Sequence, residues 1–172
     1  LGNSVIVVEH DEQMMREADW IIDIGPKAGR LGGEVLFSGT PEELLKTDTL
    51  TAKYLKYRVP SSEYRVQSSE YRVQSSENRV PSTKEQEKCI ILRGCTGNNL
   101  KNITLRIPLG KMIGVTGVSG SGKSSLINRT LYPILSQHFY RSKQGPLPYE
   151  SIEGIEHIDK VINVDQSPIG RT

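Results

Sequence analysis

The stretch MIGVTGVSGSGKSSLI, residues 112–127, decides how the rest of the chain is read. Its first five residues are mostly apolar and include β-branched Ile, Val and Thr, the composition of a buried strand. Residues 117–124, GVSGSGKS, then match G-x-x-x-x-G-K-[ST] at every fixed position. A helical pattern runs from Lys123 to about Gln137, so the loop lies between a strand and a helix, as the motif requires. A chance match in this composition is on the order of 1%, which sets aside a merely flexible Gly/Ser turn. The spacing has a physical reason. Gly117, Gly120 and Gly122 let the backbone turn, so that the N–H groups along Val118, Ser119 and Ser121 point inward around phosphate oxygens. The helix N-terminus, with Ser125 in its first turn, adds the positive end of its dipole. Lys123 places an ammonium on the terminal phosphates, and the Ser124 hydroxyl is a ligand for Mg²⁺. The cofactors this loop calls for are ATP and Mg²⁺.

Outward from the loop, CIILR (89–93), ITLRI (103–107) and KVINVD (160–165) read as further strands. The N-terminal piece reads as strand 4–9 (SVIVVE), a short helix over 12–18, strand 20–24 (WIIDI), a glycine-dense loop 25–33 and strand 34–38. Thr40 then caps a helix that begins with Pro41, Glu42 and Glu43 and fades by about Lys56. Strands alternating with helices predict an α/β fold with a largely parallel sheet.

The 172 residues allow one domain or two small ones. A formal net charge of +2 excludes a polybasic arm and an acidic tail. Charge is uneven, however. Residues 1–50 carry four basic and ten acidic side chains, 51–88 eight and five, and 89–172 ten and five, which suggests separate pieces with different neighbours. Between the pieces lies a tandem repeat over 57–84: YRVPSSE, YRVQSSE, YRVQSSE, NRVPSTK. The period of seven fails as a coiled coil, since each unit offers few apolar groups and Pro60 and Pro81 break a helix. It predicts a flexible, disordered linker. Cys89 and Cys95, with no further cysteine, form neither a disulfide framework nor a zinc knuckle, and fit a reducing cytoplasm. No apolar run reaches the 18 or so residues of a membrane helix. The turn-like residues at both ends suggest a fragment of a longer protein.

A phosphate loop binds nucleotide, but hydrolysis also needs an acid for the metal and a group that orients water. Asp165, at the end of the strand over 161–164, fits a metal-binding carboxylate on its chemistry, and Gln166 could contact the metal or the attacking water. His10 follows strand 4–9, where a lone histidine is more often structural.

The stretch LKNITLRIPLGKMIGVTGVSGSGKSSLI resembles the ABC-type ATPases and, within them, the UvrA family, the damage-recognition subunits of bacterial nucleotide excision repair. VINVDQSPIGRT resembles the segment carrying the Q-loop of the family's second module. VIVVEHDEQMMREADWIIDIGPKAGRLGGEVLFSGTPEEL resembles the end of the first. The resemblance implies an incomplete P-loop NTPase fold of ABC type, with two partial modules. Residues 1–56 would end the first module, 57–88 would be the linker, and 89–172 would run from the phosphate loop to the Q-loop of the second. It makes His10 the switch histidine that senses the γ-phosphate, Gln166 the Q-loop glutamine and metal contact, and Asp165 its neighbour rather than the Walker B acid. His10 and the 117–124 loop would serve different ATP sites. Cys95, Asn98 and Ser125 stand where the family pattern suggests Ala, His and often Thr. The implied partners of the parent are damaged double-stranded DNA, UvrB and a second copy of UvrA. It would be a cytoplasmic ATPase of the SOS response, with no membrane contact. Its zinc ligands and Walker B carboxylates would lie outside these residues, so the segment alone is expected to be non-catalytic. The alternatives are a UvrA-like paralogue, another ABC-type ATPase such as a transporter subunit, or a truncated non-catalytic nucleotide-binding product.

Overall fold

The computed structural model describes residues 2–8, 11–57 and 88–164. Among these are seven strands: β1 (Val5–Val8), β2 (Trp20–Gly25), β3 (Glu34–Gly39), β4 (Cys89–Cys95), β5 (Ile103–Pro108), β6 (Met112–Thr116) and β7 (Ser151–Glu153). The helices are α1 (Glu12–Glu17), α2 (Pro41–Leu44), α3 (Leu50–Tyr57), α4 (Lys123–Leu126) and α5 (Tyr132–Tyr140).

β6 lies inside a four-stranded sheet of order β1-β6-β2-β3. Ile113 and Val115 are fully buried, and only a strand paired on both edges lets so apolar a run satisfy its backbone as well. β1 and β2 run parallel to β6, with Val5 opposite Met112 and Asp23 opposite Thr116, while β3 returns antiparallel to β2. The sequence reading assigned residues 1–56 and 89–172 to separate modules. In the structure both contribute strands to this one sheet. Polar contacts at its lower end join the same halves: Met112 N donates to Asp19 Oδ2 (2.8 Å), Asp19 N to Met112 O (2.9 Å) and Gly110 N to Ser4 Oγ (2.8 Å).

The expectation of one largely parallel sheet is corrected for the second half. β4 and β5 pair antiparallel, and β7, which the sequence reading missed, adds antiparallel to β4 in a separate sheet of order β5-β4-β7. The reason is the connection: residues 96–102 are too few for a parallel crossover, which needs a dozen or more. A second correction concerns the strand expected at 160–165. Residues 160–164 form no strand, and Ile162 and Val164 are 70% and 82% exposed. The backbone of Val161 bonds a side chain instead of a ladder: the Tyr140 hydroxyl donates to its carbonyl (2.6 Å) and accepts from its N–H (3.3 Å). Alternation of apolar residues makes no strand without a neighbour to pair with.

Along β2 the period of two sorts side chains between two cores. Ile22 and Ile24 join Ile90, Leu92, Leu105, Ile107, Leu126 and Leu131 in the larger one. Ile21 joins Met15, Ala18, Leu44, Ala52 and Leu55 under α1, α2 and α3. Asp23 shares the parity of Ile21. The single helix expected from Thr40 to about Lys56 is two helices. Thr40 and Glu43 form a reciprocal capping box, as the sequence suggests. The Thr47 hydroxyl then donates to Leu44 O (2.8 Å), ending α2, and Thr49 Oγ1 accepts from Ala52 N (3.1 Å), starting α3. These two threonines compete with the helix for its own backbone.

α4 and α5 are continuous through a π turn at Ile127–Leu131. Pro133 has no N–H to donate to Arg129 O, and Leu147 N takes that carbonyl at 2.8 Å. The Thr130 hydroxyl donates to Ser125 O (2.7 Å), which widens the turn further. The repeat linker expected over 57–88 lies outside the described residues except at its two ends.

The cysteines differ in a way that alkylation reads directly. Cys95 is fully buried, and burial pushes its thiol up to about 11, whereas Cys89 is half-buried. Iodoacetamide at pH 8 is expected to modify Cys89 alone in the native chain and both cysteines in urea. Equal native modification of both, by mass spectrometry, would contradict the packing around β4.

Candidate nucleotide-binding site

The loop between β6 and α4 has the backbone its glycines were expected to give. Gly117, Gly120 and Gly122 take φ of +124°, +74° and +120°, a region closed to most L residues. Gly117 is also fixed by space, since a Cβ there would lie 1.9 Å from Ile24 O. The Lys123 side chain is 7% exposed and bridges the loop, its ammonium donating to Gly117 O (2.7 Å) and Val118 O (3.0 Å). Val118, Ser119, Gly120 and Ser124 are exposed, and Ser121 is fully buried with its Oγ unpartnered. Ser125 is half-buried and its Oγ accepts from Asn98 Nδ2 (2.9 Å). Asn98 and Ser125, two of the positions that depart from the family pattern, are therefore partners of each other.

The donor set fits a polyphosphate. It combines a buried ammonium held only by loop carbonyls, the free amides at the start of the helix and the Ser125 proton, since that hydroxyl uses its lone pair on Asn98. The exposed Ser124 hydroxyl is open to a hydrated cation beside such a ligand. His10, Asp165 and Gln166 lie outside the described residues. Among the described residues no group of three or more His, Cys, Asp or Glu side chains could hold a metal by themselves.

Three features around the loop escaped the sequence reading. The glycine-dense stretch 25–33, expected only as a loop, packs along the outside of the phosphate loop. Gly29 N donates to Gly120 O (3.0 Å) and Gly33 N to Ser121 O (2.8 Å). Asn99 is the second: its Nδ2 reaches Gly29 O (3.1 Å), Gly120 O (3.3 Å) and Ser121 O (3.1 Å). The amide between these carbonyls is engaged as well: Ser121 N, expected to face the phosphates, donates to Val118 O (3.1 Å) within the loop. The density of glycine in 25–33 was the only signal available, and it does not say what the loop packs on.

Asp23 is the third. It is 2% exposed at the upper end of β2, and its Oδ1 accepts from the Thr116 hydroxyl at 3.2 Å. Its Oδ2 has no partner in hydrogen-bond geometry, although the hydroxyls of Thr49 and Thr51 are close enough to oppose the effect of burial. Burial raises the Asp23 carboxyl above the ordinary carboxylate range, against the pull of Thr51, Thr116, Thr49 and the Lys123 charge. Burial likewise lowers Lys123, against the pull of Asp23.

A strand ending in this loop, a helix leaving it, a parallel sheet around it and an antiparallel sheet beside it define an incomplete P-loop NTPase fold of the ABC type. No family model matches the chain. It is 50% identical over 175 residues to UvrABC system protein A of Thermus thermophilus, and 49% identical over 177 residues to that of Neisseria meningitidis serogroup A. It is 49% identical over 178 residues to that of Vitreoscilla stercoraria. All of the chain is matched each time, yet it spans 17% of the length of the first two relatives and 28% of the third. Among solved structures, UvrA2 from Deinococcus radiodurans is 39% identical over 96% of the chain and 18% of that protein, with a TM-score of 0.42. Along its entire length the chain is homologous to UvrABC system protein A.

Proposed function

We propose that the chain is a nucleotide-binding segment of a DNA-damage-recognition ATPase of nucleotide excision repair. The observation that carries this reading is the buried Lys123 ammonium bridging a glycine loop at a strand end. It occurs in a chain half identical throughout to proteins named UvrABC system protein A. On arrival of ATP, Lys123 leaves the carbonyls of Gly117 and Val118 for the terminal phosphates, and the amides of the first turn of α4 take the remaining oxygens. Ser124 would hold Mg²⁺, which supplies charge neutralisation at the phosphates when bound.

The rest of the reading concerns the parent protein. Residues 1–56 end its first ATPase module, 57–88 link, and 89–172 open its second, where Gln166 contacts metal and attacking water while His10 serves the other ATP site. On this division β1, β2 and β3 stand around β6 where the second module would place its own equivalent strands. The parent acts in the cytoplasm on damaged double-stranded DNA with UvrB and a second copy of itself, as part of the SOS response.

A graft tests the proposal. Residues 1–172 replace the matching stretch of the Thermus thermophilus relative, and the chimera is expected to restore ultraviolet survival to a host lacking that gene. The same chimera with Lys123→Ala should leave survival at the level of the empty host. A chimera that accumulates, binds ATP and restores nothing would remove the repair assignment while leaving the phosphate loop intact.

A further inference from the structure

The turn between β4 and β5 reaches the start of α4 through a side chain: Asn98 Nδ2 donates to Ser125 Oγ at 2.9 Å. Asn98 has φ +57°, in the left-handed region that asparagine enters more readily than most residues. Contacts within 88–164 hold the turn in place. Thr96 N donates to Pro148 O (3.1 Å), and a Cβ on Gly97 would lie 2.4 Å from Leu147 Cβ, so the turn sits directly on residues 147–148. Leu147 N in turn donates to Arg129 O (2.8 Å), which ties the same residues to the helix. Ser125 is fixed from its other side, where the Thr130 hydroxyl donates to its carbonyl at 2.7 Å. The brace between Asn98 and Ser125 therefore uses no residue of 1–56.

We propose that Asn98 is a positioning residue of the phosphate site: acting through Ser125, its amide fixes the serine hydroxyl as a donor to the phosphate chain. This rests on the nucleotide-binding reading above and deepens it. A serine in the first turn of a helix can turn its proton back to the carbonyl four residues earlier, and such a proton is lost to a ligand. For Ser125 that carbonyl is Ser121 O, to which Asn99 Nδ2 already donates at 3.1 Å. Asn98 then takes a lone pair of the hydroxyl and offers its proton no acceptor through that N–H. Two adjacent asparagines thus work against both local alternatives, and the proton is left for an incoming oxygen. Asn98 itself is exposed and need touch no ligand atom. An aspartate of the same shape would reverse the bond. It would accept the proton, and the Ser125 oxygen would meet the phosphate oxygens with lone pairs only.

The test is a double-mutant cycle, read by calorimetric titration of the full chain with Mg-ATP. Asn98→Gly suits the positive φ and removes the amide without backbone strain, and is expected to weaken binding about threefold. Asn98→Asp keeps the shape but not the donor, and should weaken it about tenfold. Both losses must pass through the hydroxyl. With Ser125→Ala in place, Asn98→Gly should cost nothing further and Asn98→Asp clearly less than before. With Ser125→Thr, which keeps a hydroxyl, the threefold cost of Asn98→Gly should return. An Asn98 that only shapes the turn would lower the urea midpoint and the affinity together, whatever stands at 125. Equal losses in the serine and alanine backgrounds, or no loss in either, would therefore overturn the proposal. If Asn98→Gly does not accumulate as folded protein, the cycle with Asn98→Asp gives the same comparison. Lys123→Ala separates the two readings. If it binds ATP as the wild type does, the phosphate-loop assignment itself fails; if it abolishes binding while the cycle shows no coupling, only the positioning role of Asn98 fails.

Discussion

Lys123→Ala is expected to weaken Mg-ATP binding by about one to two orders of magnitude, the loss of a charge-assisted hydrogen bond from a buried ammonium. The physical case is the exposure of 7% together with what the ammonium touches. Its bonds to Gly117 O and Val118 O span the loop that the ligand must enter, so the same group shapes the empty site and meets the phosphates. Alanine removes both functions at little cost to the fold, because the loop carbonyls it abandons stand beside exposed residues and can turn to water. Calorimetry on the wild type and the variant, with far-ultraviolet circular dichroism as the folding control, decides the matter. Superimposable titrations would mean that residues 117–124 are not the site.

The second large effect is on stability. Gly33→Ala is expected to cost about 3 kcal/mol or more, a large share of the 5–15 kcal/mol that holds a typical domain together. Gly33 has φ +83°, and an added Cβ would stand 1.7 Å from Asn99 O and 3.0 Å from Leu100 Cα. Both are backbone atoms, so no rotamer change relieves the overlap. The residue also carries two hydrogen bonds between the halves of the chain, Gly33 N to Ser121 O and Lys101 N to Gly33 O, each 2.8 Å. Beside them the Lys101–Glu34 ion pair (2.6 Å) is exposed and contributes little. Gly110→Ala is the control. Its φ of +74° is nearly the same but nothing lies within 4 Å of the new methyl, so it should cost about 1 kcal/mol. Urea midpoints that fall equally in the two variants would show that conformation alone, without the contact to Asn99, sets the cost.

What could be read in the sequence was what is local. The loop 117–124, the strand before it, the helix after it and the Thr40 capping box each depend on neighbours a few residues apart, and each is found where the pattern puts it. Contacts across the chain left no such mark. Nothing in WIIDI distinguishes Asp23 as a buried carboxylate, because a period of two assigns it a face without saying what that face meets. Nothing in TGNNL shows that Asn99 would reach three carbonyls of two distant loops. The strand expected at 160–165 erred in the opposite direction: its pattern is local and sound, but among the described residues no strand lies alongside 160–164.

The order β1-β6-β2 has a consequence for how the chain is made. Val5 pairs with Met112 and Trp20 with Ile113, so the middle of the sheet joins segments about a hundred residues apart. Such high contact order slows folding, since loop closure must precede any reward from the pairing. On the ribosome the delay is longer still. At 5–20 residues per second, β1 and β2 emerge roughly five to twenty seconds before β6 exists to lie between them. Through that interval two apolar strands wait with open edges, and a chaperone or a neighbouring nascent chain meets them before their own partner does.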